Sequence, residues 1–354
     1  MMTNSFVEHK FLEQIPSELS TILMALGLPR FCVRQLRRWI FARKTTSFDK
    51  MTDLSKETRK VLTEQFGTIF QGKVLTHDQS VDLTEKLLIE WSDGERVECV
   101  LLRDDRNHRT ACISTQIGCA MGCLFCASGM DGFVRNLTRG EILEQFLRLN
   151  SLLPDHERLT HVVVMGIGEP LLNLDTLLSA LDDVTALDGL NLSVRRVTIS
   201  TVGIPSGIRK LAESVVRNGK SYKLAVSLHA PNDELRTQMI PQNRFSGINE
   251  ILNASDDYFE QTGRRVTFEY ILIAGLNDQS EHVRQLVHLL KHRTAIVNLI
   301  PLNPVMELNF QTPSAKAVAW FAGQLESQGI QVKVRFRKGD KIGAACGQLR
   351  RIHR

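Results

Sequence analysis

The chain has 354 residues, a formal net charge of +5, and ordinary fractions of hydrophobic (43%) and charged (23%) residues. This length suits one large domain, or a core with a smaller partner, and the composition is that of a soluble globular enzyme. No segment is long and apolar enough to span a membrane, and the first residues, MMTNSFVEHKFLEQ, lack the apolar core of a signal peptide. We therefore predict a cytoplasmic protein whose thiols stay reduced.

Residues 1–70 predict a small helical module. "VRQLRRWIF" places apolar residues on one helical face and arginines on the other, and Ser55 suits the N-cap of the next amphipathic helix. Such basic runs are usually solvated faces, and the alternative is a footprint for a polyanion such as RNA. Basic residues concentrate here and near the C terminus: Arg30, Arg34, Arg37, Arg38, Arg43, Lys44, Lys333, Arg335, Arg337, Lys338, Arg350, Arg351 and Arg354.

A β-hairpin and then an alternation of strands and helices follow. "EKLLIEW" and "VECVLL", joined by a turn at Asp93-Gly94, predict the hairpin, and Thr138 with Glu141 forms a capping box. Strand-like and helical stretches then alternate through about seven short-linked steps, which indicates parallel strands. We predict an α/β fold: a partial (β/α)6-type barrel at 112–349, a linking hairpin at 73–111 and a helical accessory domain at 1–72.

Three cysteines are clustered in "CAMGCLFC", whereas the whole chain has seven. Cys119, Cys123 and Cys126 follow a predicted strand, at the end where barrel enzymes carry their chemistry. A structural zinc site needs four ligands, and no fourth cysteine or histidine stands at finger-like spacing. Three close thiolates therefore favour an iron–sulfur cluster whose fourth iron is open to a small molecule.

This Cys-x3-Cys-x-aromatic-Cys motif resembles the signature of the radical S-adenosylmethionine (SAM) superfamily. The resemblance implies that the three thiolates bind a 4Fe-4S cluster, that SAM chelates its unique iron, and that SAM is cleaved to a 5′-deoxyadenosyl radical. "GIGEP", after the next predicted strand, resembles the glycine-rich SAM-contacting segment of that superfamily. Its glycines let the backbone approach a ligand, and Glu169 can accept a hydrogen bond from the ammonium group.

Further motifs resemble the RlmN/Cfr family of radical SAM RNA methyltransferases, in order from about Leu28 to Leu349. They are "CISTQIGC", "MGIGEPLLN", "RRVTISTVGIP", "SLHAPND", "LIPLNP" and "AACGQL", with "LPRFCVRQLRRWIF" and "MTDLSKETR" in the accessory domain. The resemblance implies methylation of an adenosine ring carbon in large-subunit rRNA, with C2 favoured over C8. It leaves tRNA open as a second substrate.

The resemblance also implies roles for two distant cysteines. One SAM methylates Cys346, and a second SAM, bound at the cluster, yields the radical that takes a hydrogen from that methyl. The carbon radical adds to the adenine, and Cys112 then attacks the Cys346 sulfur, so that a transient disulfide forms as the base leaves. Glu98, in "RVECV", matches the proton acceptor.

The remaining implied residues contact SAM, and the implied partners follow from the chemistry. The SAM contacts are Gly168, Glu169, Ser200, Ser227, Leu228, His229 and Asn303. The cluster needs a reductant such as flavodoxin or ferredoxin, and a monomer is the simplest expectation for an enzyme that docks on large RNA.

Several alternatives stay open at this point. "GDKIGAACGQL" differs from the family wording "GDDIDAACGQL", and Ala-Ser-Gly after the third cysteine is nearer to the C8-type branch. The alternatives are a C8-specific rRNA methyltransferase of the antibiotic-resistance branch, another radical SAM RNA-modifying enzyme, an activase of a protein radical, and a non-catalytic rRNA-binding assembly factor. The pair Cys112 and Cys346, with an intact Glu98, favours the methyltransferase.

Overall fold

The computed structural model describes residues 10–305, 308–335, 339 and 342–350. Over these residues the chain forms ten α-helices and twelve β-strands. Four of the basic residues named above, Arg337, Lys338, Arg351 and Arg354, lie outside the described residues. Within the described part of the chain, no helix is both long enough and apolar enough to cross a lipid bilayer.

The helices and strands alternate in the second half of the chain, as predicted. The helices are α1 (Pro16–Ala25), α2 (Cys32–Arg37), α3 (Lys56–Phe66), α4 (Arg139–Ser151), α5 (Leu174–Thr185), α6 (Pro205–Asn218), α7 (Asp233–Met239), α8 (Ile248–Thr262), α9 (Ser280–Leu290) and α10 (Ala315–Ser327). The strands are β1 (Lys73–Gln79), β2 (Glu85–Glu90), β3 (Arg96–Arg103), β4 (Arg109–Cys112), β5 (Gln116–Gly118), β6 (Phe133–Asn136), β7 (His161–Val164), β8 (Val197–Thr201), β9 (Lys223–Ser227), β10 (Val266–Leu272), β11 (Ala295–Pro301) and β12 (Val332–Val334).

One ten-stranded sheet carries the core, in the order β1-β2-β3-β4-β7-β8-β9-β10-β11-β12. Neighbours from β4 to β12 are parallel, whereas β1 to β4 are antiparallel. Among the described strands, β1 and β12 lie at opposite edges, so the sheet does not close. The α/β class and the incomplete barrel are confirmed, and β5 and β6 form a separate two-stranded ribbon.

The linking segment is larger than the predicted hairpin. β2 and β3 pair as predicted, but β1 adds another antiparallel strand in front of them. The sequence of β1, KVLTHDQ, is polar and the strand is largely exposed at the sheet edge. An edge strand with one neighbour buries too little to show the alternation by which strands are recognised.

The N-terminal helices pack around an aromatic cluster. Phe11 meets Phe48 and Phe66 edge to face, at ring-centroid distances of 5.4 and 5.2 Å. The predicted N-cap is confirmed, since the Ser55 hydroxyl accepts a hydrogen bond from Thr58 N–H at 3.0 Å. α2 continues through one π-helical turn over Arg38–Ala42.

The basic face predicted on α2 is only partly exposed. Arg37 is buried and donates to Asp183 at 2.5 Å and to Asp188 at 2.7 Å. Lys44 donates to the carbonyl oxygens of Leu153 and Pro154, at 2.8 and 2.7 Å, just beyond the end of α4. These two cations attach the helical module to the core, and an amphipathic pattern cannot show this because the acceptors lie far away in sequence. The exposed basic residues are Arg30, Arg34, Arg38 and Arg43.

The Asp183 carboxylate is buried between Arg37 and Arg139, so Asp183→Ala removes the anion that both guanidinium groups share. Breaking a buried pair costs about 3–5 kcal/mol, and we expect the free energy of unfolding in urea to fall by that amount. The control Asp175→Ala removes the exposed partner of Lys210 and should cost less than about 1 kcal/mol. Equal losses in the two variants would contradict this account of the attachment.

Candidate active site

The loop with the three clustered cysteines leaves β5 and returns along β6. At its base Gly118 has φ +70°, and a Cβ there would lie 1.8 Å from the carbonyl oxygen of Gly132. The amide of Cys119 donates to that same oxygen at 3.0 Å. The loop therefore closes through a backbone approach that only glycine permits.

The three thiols of this loop, at Cys119, Cys123 and Cys126, line one cavity. Burial, and then the charge of Cys126, raises the pKa of Cys119 to about 12 and the pKa of Cys123 well above its ordinary value, although neighbouring groups oppose this in part. Bare thiolates are thus unfavourable here, whereas thiolates bound to iron, whose positive charge offsets theirs, suit the site.

The donor set fits an iron–sulfur cluster better than a single ion. No group of three His, Cys, Asp or Glu in the described ranges is arranged to hold one metal ion. A four-iron cluster is wider than one ion, and its thiolate ligands stand farther apart. Three thiols around an open cavity, with Phe125 and Met121 as apolar wall, match that larger group.

The cavity opens at the carboxyl ends of the parallel strands, where ligands bind in such folds. Its empty space, including the open mouth and the solvent in it, is about 970 Å³. Five of the predicted SAM contacts line it: Gly168, Glu169, Ser200, Ser227 and His229. Leu228 is fully buried and does not line the cavity, and Asn303 lines a second cavity instead.

The "GIGEP" segment is fixed by close packing against the strand before the cysteines. Gly168 has φ +104°, and a Cβ there would lie 2.6 Å from Cβ of Gln116. The Glu169 carboxylate accepts hydrogen bonds from the amides of Leu171 at 3.0 Å and Val202 at 2.7 Å. Burial raises the pKa of Glu169, and these backbone bonds oppose that effect. The carboxylate is held rigidly at the cavity wall with acceptor sites left for a ligand.

His229 is a neutral imidazole at the cavity wall. Burial, and then the charge of Arg236, lowers its pKa to about 3. Its Nδ1 accepts the amide of Ile271 at 3.0 Å, so the ring proton stays on Nε2. The backbone of His229 has φ +60°, and its ring packs edge to face on Phe125 at 4.9 Å. A non-glycine residue held in this conformation is typical of a site where geometry serves a ligand.

Cys112 and Cys346 line one second cavity, and Cys346 also lines the first. Cys112 is buried at the end of β4, whereas Cys346 is exposed to the open space of both cavities. Burial, and then the charge of Cys346, raises the pKa of Cys112 to about 12, while Arg335 opposes it. The structure therefore places the two distant cysteines around one cavity. Both are free thiols, and the disulfide between them stays a prediction.

The segment that carries Cys346 is attached to the cysteine loop. Ala127 N–H donates to the Gly347 carbonyl at 2.8 Å, and the Ser128 hydroxyl donates to that of Leu349 at 2.7 Å. Asn303 donates to the carbonyl of Cys346 at 3.0 Å. Asn303 therefore orients the peptide of Cys346.

Glu98, the predicted proton acceptor, lines neither of these cavities. Its carboxylate accepts from Lys86 Nζ at 2.8 Å and from the amide of Arg350 at 2.8 Å. Burial raises its pKa, and the charge of Lys86 opposes this. In this structure Glu98 anchors the residues that follow Cys346, and its role as proton acceptor stays a prediction.

Two charged residues of the first cavity, Glu269 and Arg335, were not predicted as site residues, and Arg335 appeared only among the clustered basic residues. Glu269 is buried and accepts from Asn298 Nδ2 at 2.7 Å. Burial raises its pKa, and the charge of Arg335 opposes that shift. The sequence did contain an indication of Glu269: it is a single acidic residue within the apolar strand "TFEYILI", and acidic residues are rarely buried unless they are paired.

The comparisons with known proteins agree with this geometry. Residues 113–289 match the model of the Radical SAM superfamily, and residues 11–67 match that of the ribosomal RNA large subunit methyltransferase N-terminal domain. The chain is therefore a radical SAM enzyme, a class that uses a 4Fe-4S cluster and SAM.

Individual relatives identify the family. The chain is 54% identical over 334 residues to the probable dual-specificity RNA methyltransferase RlmN of Rhodopirellula baltica, which covers 94% of this chain and 88% of the relative. It is 46% identical to the protein of the same name from Symbiobacterium thermophilum, over 94% of this chain and 89% of the relative. It matches a radical SAM methyltransferase from Sphaerobacter thermophilus with a TM-score of 0.92 and 39% identity, over 96% of this chain and 99% of that one. The chain belongs to the RlmN family of radical SAM RNA methyltransferases.

Gly168→Ala places a Cβ against Gln116 at a backbone conformation that alanine resists. We expect the backbone of "GIGEP" to shift and SAM affinity, measured by equilibrium dialysis with labelled SAM, to fall about tenfold, equivalent to ~1.4 kcal/mol. Gly323→Ala in α10, where a Cβ meets nothing within 4 Å, is the matched control and should bind SAM normally. Unchanged affinity in Gly168→Ala would show that this segment does not form the SAM site.

Proposed function

We propose that this RNA methyltransferase methylates an adenosine ring carbon of large-subunit rRNA, with C2 favoured over C8 and tRNA as a second candidate substrate. The observation that carries the proposal is the position of Cys346, which lines both the cavity of the three clustered cysteines and the cavity of Cys112. The dual specificity in the names of the relatives supports a second RNA.

A radical route answers a specific chemical difficulty. The ring carbons C2 and C8 of adenine are electrophilic amidine positions, and no side-chain base can convert them into nucleophiles for ordinary methyl transfer. When bound, the cluster and SAM supply one-electron chemistry that forms a carbon radical. Cys119, Cys123 and Cys126 would hold the cluster, and no other described site offers three thiols around an open cavity.

Cys346 would carry the methyl group. Its sulfur takes the methyl from SAM as a thioether, and the bond from Asn303 to its carbonyl orients it at the cavity. After the carbon radical has added to adenine, the adduct loses the ring proton to a base and one electron, which the bound cluster would take back. The CH2 carbon then links protein and RNA through its C–S bond.

Cys112 would release the product. Its thiolate attacks the Cys346 sulfur, so that an S–S bond forms while the C–S bond breaks. The electron pair of the C–S bond leaves with the CH2 carbon on the base, which takes up a proton to become the methyl group. A reductant then restores the two thiols. The raised pKa of Cys112 keeps it protonated near neutral pH, so release needs a base or a closer cation such as Arg335.

The proton acceptor for the ring hydrogen is proposed to be Glu98. Because Glu98 lines neither cavity, this role requires that its bond to the amide of Arg350 opens when RNA binds. The segment that carries Cys346 would then move with it.

The SAM and RNA contacts complete the proposal. The proposed SAM contacts are Gly168, Glu169, Ser200, Ser227, Leu228, His229 and Asn303. Five of them line the first cavity, whereas Leu228 is buried and Asn303 donates to the carbonyl of Cys346. Exposed arginines of the accessory domain, proposed as residues 1–72, would meet phosphates. We expect a cytoplasmic monomer with flavodoxin or ferredoxin as reductant, and domain limits at 73–111 and 112–349 for the linker and the core.

A C8-specific activity is the second candidate. It is favoured by Ala127-Ser128-Gly129 after the third cysteine, since Ala127 and Ser128 are the residues that hold Gly347 and Leu349. A change at this contact shifts the position of Cys346 relative to the base.

Alanine substitutions of the two distant cysteines should stop the reaction at different steps. Cys346→Ala should abolish methylation, because the methyl has no acceptor, and Cys112→Ala should accumulate protein joined covalently to RNA, because release is blocked. Both outcomes are read by denaturing gels and by mass spectrometry of rRNA and tRNA digests. The matched control is Cys32→Ala, a buried thiol of the accessory module, which should turn over normally. Normal turnover of Cys112→Ala would overturn its releasing role.

A further inference from the structure

Arg236 is a buried cation that the proposed chemistry has not used. It lies on α7 and is 1% exposed. Its guanidinium donates to the carbonyl oxygens of Leu228 at 3.0 Å and Ser227 at 3.0 Å, to that of Val202, and to Asn243 Oδ1 at 2.6 Å. All four acceptors are neutral. The guanidinium group of Arg236 therefore links the carboxyl ends of β8 and β9, where the first cavity opens.

Other buried arginines of the chain are neutralised by carboxylates. Arg37 and Arg139 both bond to buried Asp183. Arg236 forms no ion pair with any described carboxylate, and the nearby Asp233 is bonded to Asn243 Nδ2 at 2.9 Å and to the amide of Ile248 at 2.8 Å. Burying a charge without a counter-charge is costly. An anion bound near Arg236 would therefore stabilise its charged form.

Arg236 lies beside the cysteine loop, because it lines one cavity together with Ala120 and Met121 of that loop. The helix that carries Arg236 is also bonded to the loop: Leu124 N–H, one residue after Cys123, donates to the carbonyl of Met239 at 3.0 Å. The three loop cysteines pack against the same apolar cluster as Met239.

We propose that Arg236 is a positioning residue for the reduction step, acting as the buried counter-charge of a cluster held by Cys119, Cys123 and Cys126. The inference rests on the proposed function, because it takes these three cysteines as the cluster ligands. A cluster with three thiolates is negatively charged, and reduction adds a further negative charge. A fixed cation beside one ligand stabilises the reduced form and raises the reduction potential, as net charge and local environment do in iron–sulfur proteins.

The test is a redox titration of the reconstituted full chain, followed by electron paramagnetic resonance of the reduced cluster, with iron and sulfide assayed in each sample. The variants are Arg236→Gln and Arg236→Lys, with Arg139→Gln as the matched control. Arg139→Gln also removes a buried guanidinium group, but its partner Asp183 is still paired with Arg37. At one fixed potential, Arg236→Gln should show about a tenfold lower ratio of reduced to oxidised cluster, equivalent to about 59 mV for one electron. Arg139→Gln should match the wild type, and Arg236→Lys should match it at the low-pH end of the titration, where the lysine is charged.

A second measurement covers the case in which Arg236→Gln does not fold. The buried lysine of Arg236→Lys has a lowered pKa, so its charge is lost as pH rises, whereas arginine stays charged. The potential of Arg236→Lys should therefore fall with rising pH more steeply than that of the wild type. Potentials that are equal in all variants at full iron content, with parallel pH profiles, overturn the inference. A wild type that binds no iron, or a Cys123→Ala variant that keeps it all, overturns the proposed function and this inference with it.

Discussion

The attachment of the C-terminal segment to the cysteine loop is the contact on which the site depends. Two hydrogen bonds, from Ala127 N–H to Gly347 and from the Ser128 hydroxyl to Leu349, hold that segment beside the loop. They place Cys346 on the wall between two cavities, one lined by the clustered thiols and one by Cys112. Glu98 on β3 and Asn303 after β11 bond to the same segment, so Cys346 is held where the first and last thirds of the chain meet.

Buried charge organises the rest of the molecule. Asp183 joins the helical module to the core through two arginines, and Glu98 joins the linker strands to the residues after Cys346. In both places an acid is satisfied by cations or amides from distant parts of the chain, as burial requires. Arg236 differs because the hydrogen-bond partners of its guanidinium group are neutral.

The features of the structure that could be predicted from the sequence are those encoded by short-range patterns. The alternation of strands and helices, the caps at Ser55 and Thr138, and the spacing of the three cysteines are local patterns. They predict the fold and the loop whose three thiols line the first cavity. The class of enzyme and its cofactors followed from motifs of a few residues each.

The features that could not be predicted from the sequence are those that depend on long-range contacts. The burial of Arg37 and the bonds of Glu98 are made with residues that helical periodicity or strand alternation does not reach. β1 was not predicted because an exposed edge strand shows little apolar pattern. Glu269 was overlooked although its position in an apolar strand is unusual.

The most direct test of the central claim, that the methyl reaches RNA through Cys346 as a carbon radical, uses SAM with a fully deuterated methyl group. Reconstituted enzyme, a reductant and an rRNA fragment are incubated under anaerobic conditions, and the methylated adenosine is analysed by mass spectrometry. The account predicts that the product methyl retains two of the three deuterium atoms, because one is removed from the methyl on Cys346 before the carbon joins the base. A product that retains all three would mean direct transfer from SAM and would contradict the account.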